Sequence, residues 1–210
     1  MKLYGYWRST SAYRLRIALA LKGVAAEQAF VNLVRGEQKA QAYRALNPQG
    51  RVPTLMLDDG TVLTQSPAII EYLEEVFPNP PLMPADPLAR AKVRAVAAIV
   101  GCDVHPLHNV GPLNYLRGPL GRSEEEVSGW IATWIGQGFA AIETMIGEDG
   151  YCFGPAPGLA DAYLAPQIYA ARRFGVPLEA YPRILRVEKL AEEHPAFQAA
   201  HPAKQGDAAT

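Results

Sequence analysis

PNPPLMPADP, residues 78–87, sets five prolines within ten positions. Proline locks φ and removes a backbone donor, so neither a helix interior nor a central strand can hold this run. It reads as a linker, and the chain changes character across it. Upstream, short apolar stretches of mixed type are separated by turn residues; downstream, long Ala-rich stretches repeat with helical spacing. The expectation is an α/β domain over residues 1–79, a Pro-rich linker over 80–86 and an all-helical domain over 87–210.

Upstream, residues 2–7 read as a strand, and 11–22 place Leu15, Ala18, Leu19 and Leu21 at helical spacing before Gly23, a residue suited to ending a helix. A strand near 29–33 and a short helix near 39–46 follow. Val52-Pro53 leads into a strand at 54–57, Asp58-Asp59-Gly60 is a turn signal, and 61–63 completes a hairpin. Ser66 is placed to cap a helix over AIIEYLEEVF, residues 68–77, with Pro67 at the tolerated first position. The order βαβα then ββα is the minimum recipe for a small mixed sheet of thioredoxin type. Beyond the linker, 87–101, 124–146, 159–173 and 184–193 read as helices, with Gly138 weakening the continuity of the second. The last ten residues, HPAKQGDAAT, lack an apolar pattern and read as a loose tail.

The balance of 49% hydrophobic and 20% charged residues is that of a folded protein with a real core. With 20 Lys and Arg against 21 Asp and Glu, the net charge of −1 offers no field for a nucleic acid or an anionic membrane. Two cysteines, Cys102 and Cys152, cannot make a disulfide framework and suggest a reducing compartment such as the cytoplasm. Arg8, Arg14, Arg16 and Lys22 interrupt the apolar character of the first 23 residues, which argues against a signal peptide or a membrane span. The first strand is needed by the fold, so the protein is expected to start there rather than with a presequence.

RSTSAYRLRIALALKG (8–23), NPQGRVPTL (47–55), QSPAIIEYLEE (65–75) and YPRI (181–184) occur in this order, with LMPADPLARAKVRA (82–95) and ADAYLAPQIYAARRF (160–174) between and beyond them. Together they resemble the zeta class of glutathione transferases, the maleylacetoacetate and maleylpyruvate isomerase group. The resemblance implies the cytosolic glutathione transferase fold: a thioredoxin-like N-terminal α/β domain and an all-α C-terminal domain. It implies glutathione as cofactor, a small dicarboxylic diketo acid as substrate, and a homodimer.

Each residue that carries the resemblance also has a reading of its own. Ser9 lies between the first strand and the first helix, where free N–H groups and the helix dipole favour an anion. The resemblance makes Ser9 the donor to the glutathione sulfur, with Thr10 a second candidate; on physical grounds alone Ser9, Thr10 or Ser11 could simply cap the helix. Ser11 stands where members of the class often carry a cysteine, so chemistry that depends on that thiol is not expected. For Pro53 the resemblance implies a cis bond that turns the Val52 amide and carbonyl toward the cysteinyl backbone of glutathione. Gln65 and Ser66, at a helix N-terminus, suit the γ-glutamyl carboxylate, and Gln49 the glycyl end.

Planar guanidinium groups hold carboxylates bidentately, and the resemblance assigns that task to Arg8 and Arg173, with Arg172 solvated. It also turns His105 and Asn109, in CDVHPLHN (102–109), toward the bound ligands, and His108 less so. Val110-Gly111 departs from bacterial members that carry a basic residue there, which weakens the carboxylate contacts. Cys102, with nothing beside it to activate a thiolate, reads as a buried filler; with Asp103 and His105 it lacks a second ligand cluster, so no metal site is expected. Gly158-Leu159-Ala160-Asp161 is an altered capping box, with Asp161 structural. The implied reaction is cis-trans isomerisation by thiolate addition, bond rotation and elimination. A glutathione-conjugating transferase and a non-catalytic binding module are the alternatives.

Overall fold

The computed structural model describes residues 1–208. They form two compact units, one of Met1–Leu82 together with the segment from Glu192 onward, the other of Met83–Ala191. The division falls between Leu82 and Met83, inside the proline-rich run. The last helix and the tail, expected in the helical domain, belong instead with the first unit.

In the first unit β1 (Lys2–Gly5), α1 (Thr10–Leu21), β2 (Glu27–Phe30), α2 (Gln41–Leu46), β3 (Thr54–Met56), β4 (Val62–Thr64) and α3 (Ser66–Val76) follow the expected order. The four strands make one sheet in the order β2-β1-β3-β4. β1 runs parallel to β2, with Leu3 opposite Gln28, and antiparallel to β3, with Leu3 opposite Leu55. The hairpin closes where Leu57 N donates to Thr61 O at 2.8 Å and Gly60 takes φ 85°, a left-handed conformation that glycine adopts without a Cβ penalty. Leu3, Leu15, Leu55, Ile69 and Leu73 are completely buried and form the centre of this unit's core.

α1 is buried on every face from Ala12 to Leu19, because α3 and the later helix α9 (Pro195–Ala200) both pack on it. Its charged residues therefore lie inside. Arg14 is 2% and Arg16 6% exposed, and each finds polar partners. At the other end of α1 the buried Lys22 pairs with Glu74 at 2.6 Å and donates to Phe77 O and Pro80 O, tying α1 to the end of α3. The expected loose tail is ordered as far as it is described: Pro202–Lys204 forms a 3₁₀ turn, and Asp207, 9% exposed, accepts from Trp7 N. Its last two residues lie outside the described part.

The second unit contains α4 (Pro87–Ala98), α5 (Val110–Arg117), α6 (Glu124–Met145), α7 (Leu159–Arg173) and most of α8 (Pro182–Glu193). α6 opens with a capping box of Ser123 and Glu126 and runs unbroken through Gly138. That glycine is a packing requirement rather than a break: a Cβ there would stand 2.2 Å from Val104 Cγ2. α4 continues into a wide π turn, Ile99–Val104, and then a 3₁₀ turn, His105–His108, neither of which the hydrophobic pattern signals. α7 is the central helix of the unit. Asp161 accepts from the amides of Gly158 and Cys152, both at 2.8 Å, which anchors its start. Cys152 is buried, and burial with Asp161 close by pushes its thiol pKa well up. Cys102 is exposed, contrary to the filler expected from the sequence.

Candidate active site

In the first unit, the loop after β1 turns at Ser9, whose N–H donates to Tyr6 O at 3.0 Å. Ser9 caps α1: its Oγ accepts from Ala12 N at 3.3 Å. Capping uses an oxygen lone pair and leaves the hydroxyl proton available, so the cap and the donor role expected for Ser9 are compatible. Ser11 Oγ lies 3.3 Å from Ser9 Oγ and donates to Val52 O at 3.1 Å, which links the helix start to the segment before β3. Ser9 is half-buried, whereas Thr10 is only 6% exposed. The first turn of α1 carries no acidic side chain of its own, so nothing within the helix offsets its dipole there.

The Val52-Pro53 bond is cis. Val52 packs with Tyr6, Val31 and Tyr43, and among the described residues its amide donates no hydrogen bond. The loop that presents it is built around Asn47, a residue the sequence reading did not single out. Asn47 is 2% exposed; its Nδ2 donates to Arg51 O and Thr54 Oγ1, and its Oδ1 accepts from Gln49 N. The Tyr43 hydroxyl donates to Arg51 O at 2.7 Å and shares a bond with Thr54, and burial raises its pKa. Gly50, at φ 59°, passes so close to Gln38 that an added Cβ would lie 2.7 Å from its carbonyl oxygen.

At the start of α3 the cap position is Gln65, one residue earlier than expected, and Ser66 is the first helical residue. Gln65 has φ 68° and ψ 111°, the only positive φ at a non-glycine residue among those described. Such strain costs roughly 1–3 kcal/mol and concentrates at functional sites. Its side chain donates to Gln49 Oε1, bringing together two residues expected to bind glutathione. Ser66, 3% exposed, accepts from Arg14 Nη1 at 3.0 Å and thereby keeps its own proton to donate. No side chain caps α3 and no acid lies in its first turn, so its free N–H groups suit a carboxylate. Arg8 is exposed, its guanidinium 5.4 Å from the Trp7 ring centre.

In the second unit a file of side chains joins three of the expected residues. The exposed Arg173 guanidinium lies over the Phe174 ring at 4.4 Å, Phe174 meets the His108 ring edge-on at 5.6 Å, and His108 meets His105 at the same distance. His108 is 3% exposed and bonded through Nε2 to the Gln167 amide. Burial, and more weakly the Arg173 charge, hold its pKa below the ordinary 6.5, so the ring is neutral. The turn bearing both histidines is fixed by Trp130 Nε1, which donates to Leu107 O at 2.8 Å. Asn109 caps α5, accepting from Val110 N. Arg172, exposed as expected, pairs with Glu188.

The donor set in the first unit fits a γ-glutamyl tripeptide thiol: a hydroxyl donor at a helix start, a buried unpaired amide at Val52, and an uncapped helix with a buried hydroxyl. Residues 8–76 match the glutathione S-transferase N-terminal domain, and residues 129–199 match the glutathione S-transferase C-terminal domain. A maleylacetoacetate isomerase of Pseudomonas aeruginosa is 62% identical over 209 residues, which cover 99% of this chain and 98% of that protein. Among solved structures, the holo form of a maleyl pyruvate isomerase, a bacterial zeta-class glutathione S-transferase, gives a TM-score of 0.95 at 50% identity, with 99% of both chains covered. A maleylacetoacetate isomerase from Anaeromyxobacter dehalogenans 2CP-1 with GSH bound in its active site gives 0.89 at 45% identity, with 99% of this chain and 97% of that one covered. The chain belongs to the glutathione S-transferase family, in its zeta class.

Proposed function

We propose that this chain is a glutathione-dependent cis-trans isomerase of a small dicarboxylic diketo acid, turning maleylacetoacetate into fumarylacetoacetate or the related maleylpyruvate into fumarylpyruvate. The observation that carries the reading is the Ser9 hydroxyl, which caps α1 with its oxygen while its proton, resting 3.3 Å from the Ser11 oxygen in the ligand-free chain, can turn to a thiolate. When bound, glutathione supplies a thiolate that adds to the cis double bond, lets it rotate as a single bond, and leaves unchanged.

Ser9 donates to the sulfur, and the N-terminus of α1 adds its partial positive charge. Of the two hydroxyls considered for this task, the greater exposure of Ser9 favours it over Thr10. Val52 pairs with the cysteinyl backbone; its carbonyl has a second lone pair beyond the one used by Ser11. Gln65 and Ser66 receive the γ-glutamyl carboxylate, and Gln49 the glycyl end. Arg8 holds one substrate carboxylate; in the second unit Arg173 and His105 are substrate-binding, and Asn109 and His105 contribute to glutathione. Anchoring one end of the substrate while the other turns lowers the entropy cost of the rotation. By resemblance to its class the protein acts as a cytoplasmic homodimer, which light scattering on the purified chain checks.

The test is incubation with glutathione and each cis acid, following the isomer by absorbance and free thiol by titration. Isomerisation with glutathione undiminished is the expected result. Stoichiometric loss of thiol would make the protein a conjugating transferase, and failure to bind immobilised glutathione would make it a binding module. The ratio of kcat/KM for the two acids names the preferred substrate.

A further inference from the structure

Neither backbone polar group of Trp7 is left to the solvent. Its N–H donates to Asp207 Oδ2 at 2.9 Å, and its carbonyl accepts from Arg16 Nη2 at 3.0 Å. Arg16 in turn donates through Nε to Ala200 O at 2.9 Å. Both side chains are inside the unit, Arg16 6% and Asp207 9% exposed. The segment that supplies Ala200 and Asp207 is itself seated on the first unit. His201 meets the Tyr13 ring edge-on at 5.9 Å and, through Nδ1, accepts from Ala203 N to start the 3₁₀ turn. Gly206 lies against Phe30 of β2, where a Cβ would come within 3.1 Å of the ring.

Trp7 directly precedes Arg8 and Ser9. The loop bearing them is short, running from the end of β1 at Gly5 to the start of α1 at Thr10. A loop whose central peptide groups are clamped on both sides has few conformations left to lose when a ligand binds. Aim matters most at Ser9, since its benefit to a thiolate depends on a hydrogen bond of limited angular range.

We propose that Asp207 and Arg16 are positioning residues: they grip Trp7 from its two sides and so hold Arg8 and Ser9 in the arrangement that receives glutathione and the substrate. The carboxyl-terminal segment is by this account part of the thiolate site without touching the ligand. The proposal rests on the glutathione reading for its chemistry, but the ordering it asserts is a property of the ligand-free chain.

The test compares Asp207→Ala with Asp207→Asn, which keeps an oxygen acceptor for Trp7 N. In the ligand-free protein, hydrogen–deuterium exchange at the bonded amides of Trp7 and Ser9 is expected to speed up about ten- to a hundredfold in the Ala variant, while the Asn variant recovers most of the protection. With glutathione added, thiolate absorbance titrated against pH should show a raised thiol pKa in the Ala variant and a near-normal one in the Asn variant. Urea unfolding confirms that both variants fold cooperatively. Unchanged exchange at these two amides overturns the proposal. So does an unchanged thiol pKa accompanied by a mere loss of stability, since Asp207 would then be a structural clasp only. If the parent protein itself shows no thiolate, the glutathione reading fails, and the positioning claim stands or falls on the exchange data.

Discussion

Two alanine substitutions on one helix should move stability in opposite directions. Gly129 and Gly138 both lie within α6. In a helix interior alanine is favoured over glycine by roughly 1 kcal/mol, so this term is the same for both. A Cβ at the exposed Gly129 meets nothing within 4 Å, and Gly129→Ala is expected to stabilise by about 0.5–1 kcal/mol. At Gly138 the added carbon would lie 2.2 Å from Val104 Cγ2 and 3.5 Å from Ile99 Cγ2. Carbons in contact sit about 3.5–4.0 Å apart, so the Val104 methyl must retreat by more than about 1 Å. Val104 is 1% exposed and, being β-branched, has little freedom at χ1. Overpacking of this kind costs about 1–3 kcal/mol. Taking the upper part of that range and subtracting the helix term leaves Gly138→Ala about 1–2 kcal/mol less stable than the parent. Urea unfolding followed by far-ultraviolet circular dichroism reads both midpoints. In a Val104→Ala background the obstruction is gone, and Gly138→Ala should there become neutral or stabilising, a coupling of at least about 1 kcal/mol. A Gly138→Ala protein as stable as the parent would refute the claim that close approach of the π turn, rather than chance, put glycine at that position.

Ser9→Ala should lower kcat/KM about ten- to a hundredfold, the worth of a hydrogen bond to a charged group, and cost about 0.5–2 kcal/mol of stability through the lost cap. Ser9→Asp, which still caps but has no proton to give, should keep the stability and lose the activity; Thr10→Val should keep turnover. Lys22→Met leaves Glu74 buried without its cation, the Lys22 side chain being 0% and that of Glu74 11% exposed, and should cost about 3–5 kcal/mol in thermal or urea unfolding. For His108 the folded pKa is below 6.5, so the unfolded chain takes up the proton first as acid is added. Its contribution is therefore complete above 6.5 and is lost as pH falls below that value toward the folded pKa. A His108→Gln protein should show a shallower acid loss of stability than the parent, and parallel curves would count against a buried neutral ring.

The sequence was most legible where local chemistry decides the conformation. Five prolines mark the break near residue 82, Asp58-Asp59-Gly60 marks the hairpin, and Ser9 and Pro67 mark two helix starts to within a residue. What escaped it depends on partners far along the chain. Arg14 and Arg16 looked only like interruptions of an apolar run, yet they are buried against groups 52 and 184 residues away. The tail was unreadable for the same reason: its order comes from α1 and Trp7, not from a pattern of its own. α5 was hidden behind Val110-Gly111-Pro112, whose glycine and proline suggest a loop although Asn109 caps a helix there. Of the candidate site, Ser9, Val52-Pro53 and Gln65-Ser66 stood out as strings. Asn47, at the head of NPQGRVPTL, did not, because its role as the hub of a loop is visible only once Thr54 and Arg51 are brought to it.

The first unit is not continuous in the chain, and a ribosome meets that fact as a delay. Residues Met1–Leu82 emerge first, but α9 and the turn beyond it, which cover α1 and hold Trp7, come only after all of Met83–Ala191 has been made. At roughly 5–20 residues per second the interval is on the order of ten seconds. Throughout it the outer face of α1 is bare and the Arg16 charge has not met the Ala200 carbonyl. The nascent sheet domain thus carries uncovered apolar surface until the segment from Glu192 onward has been made and can seal it.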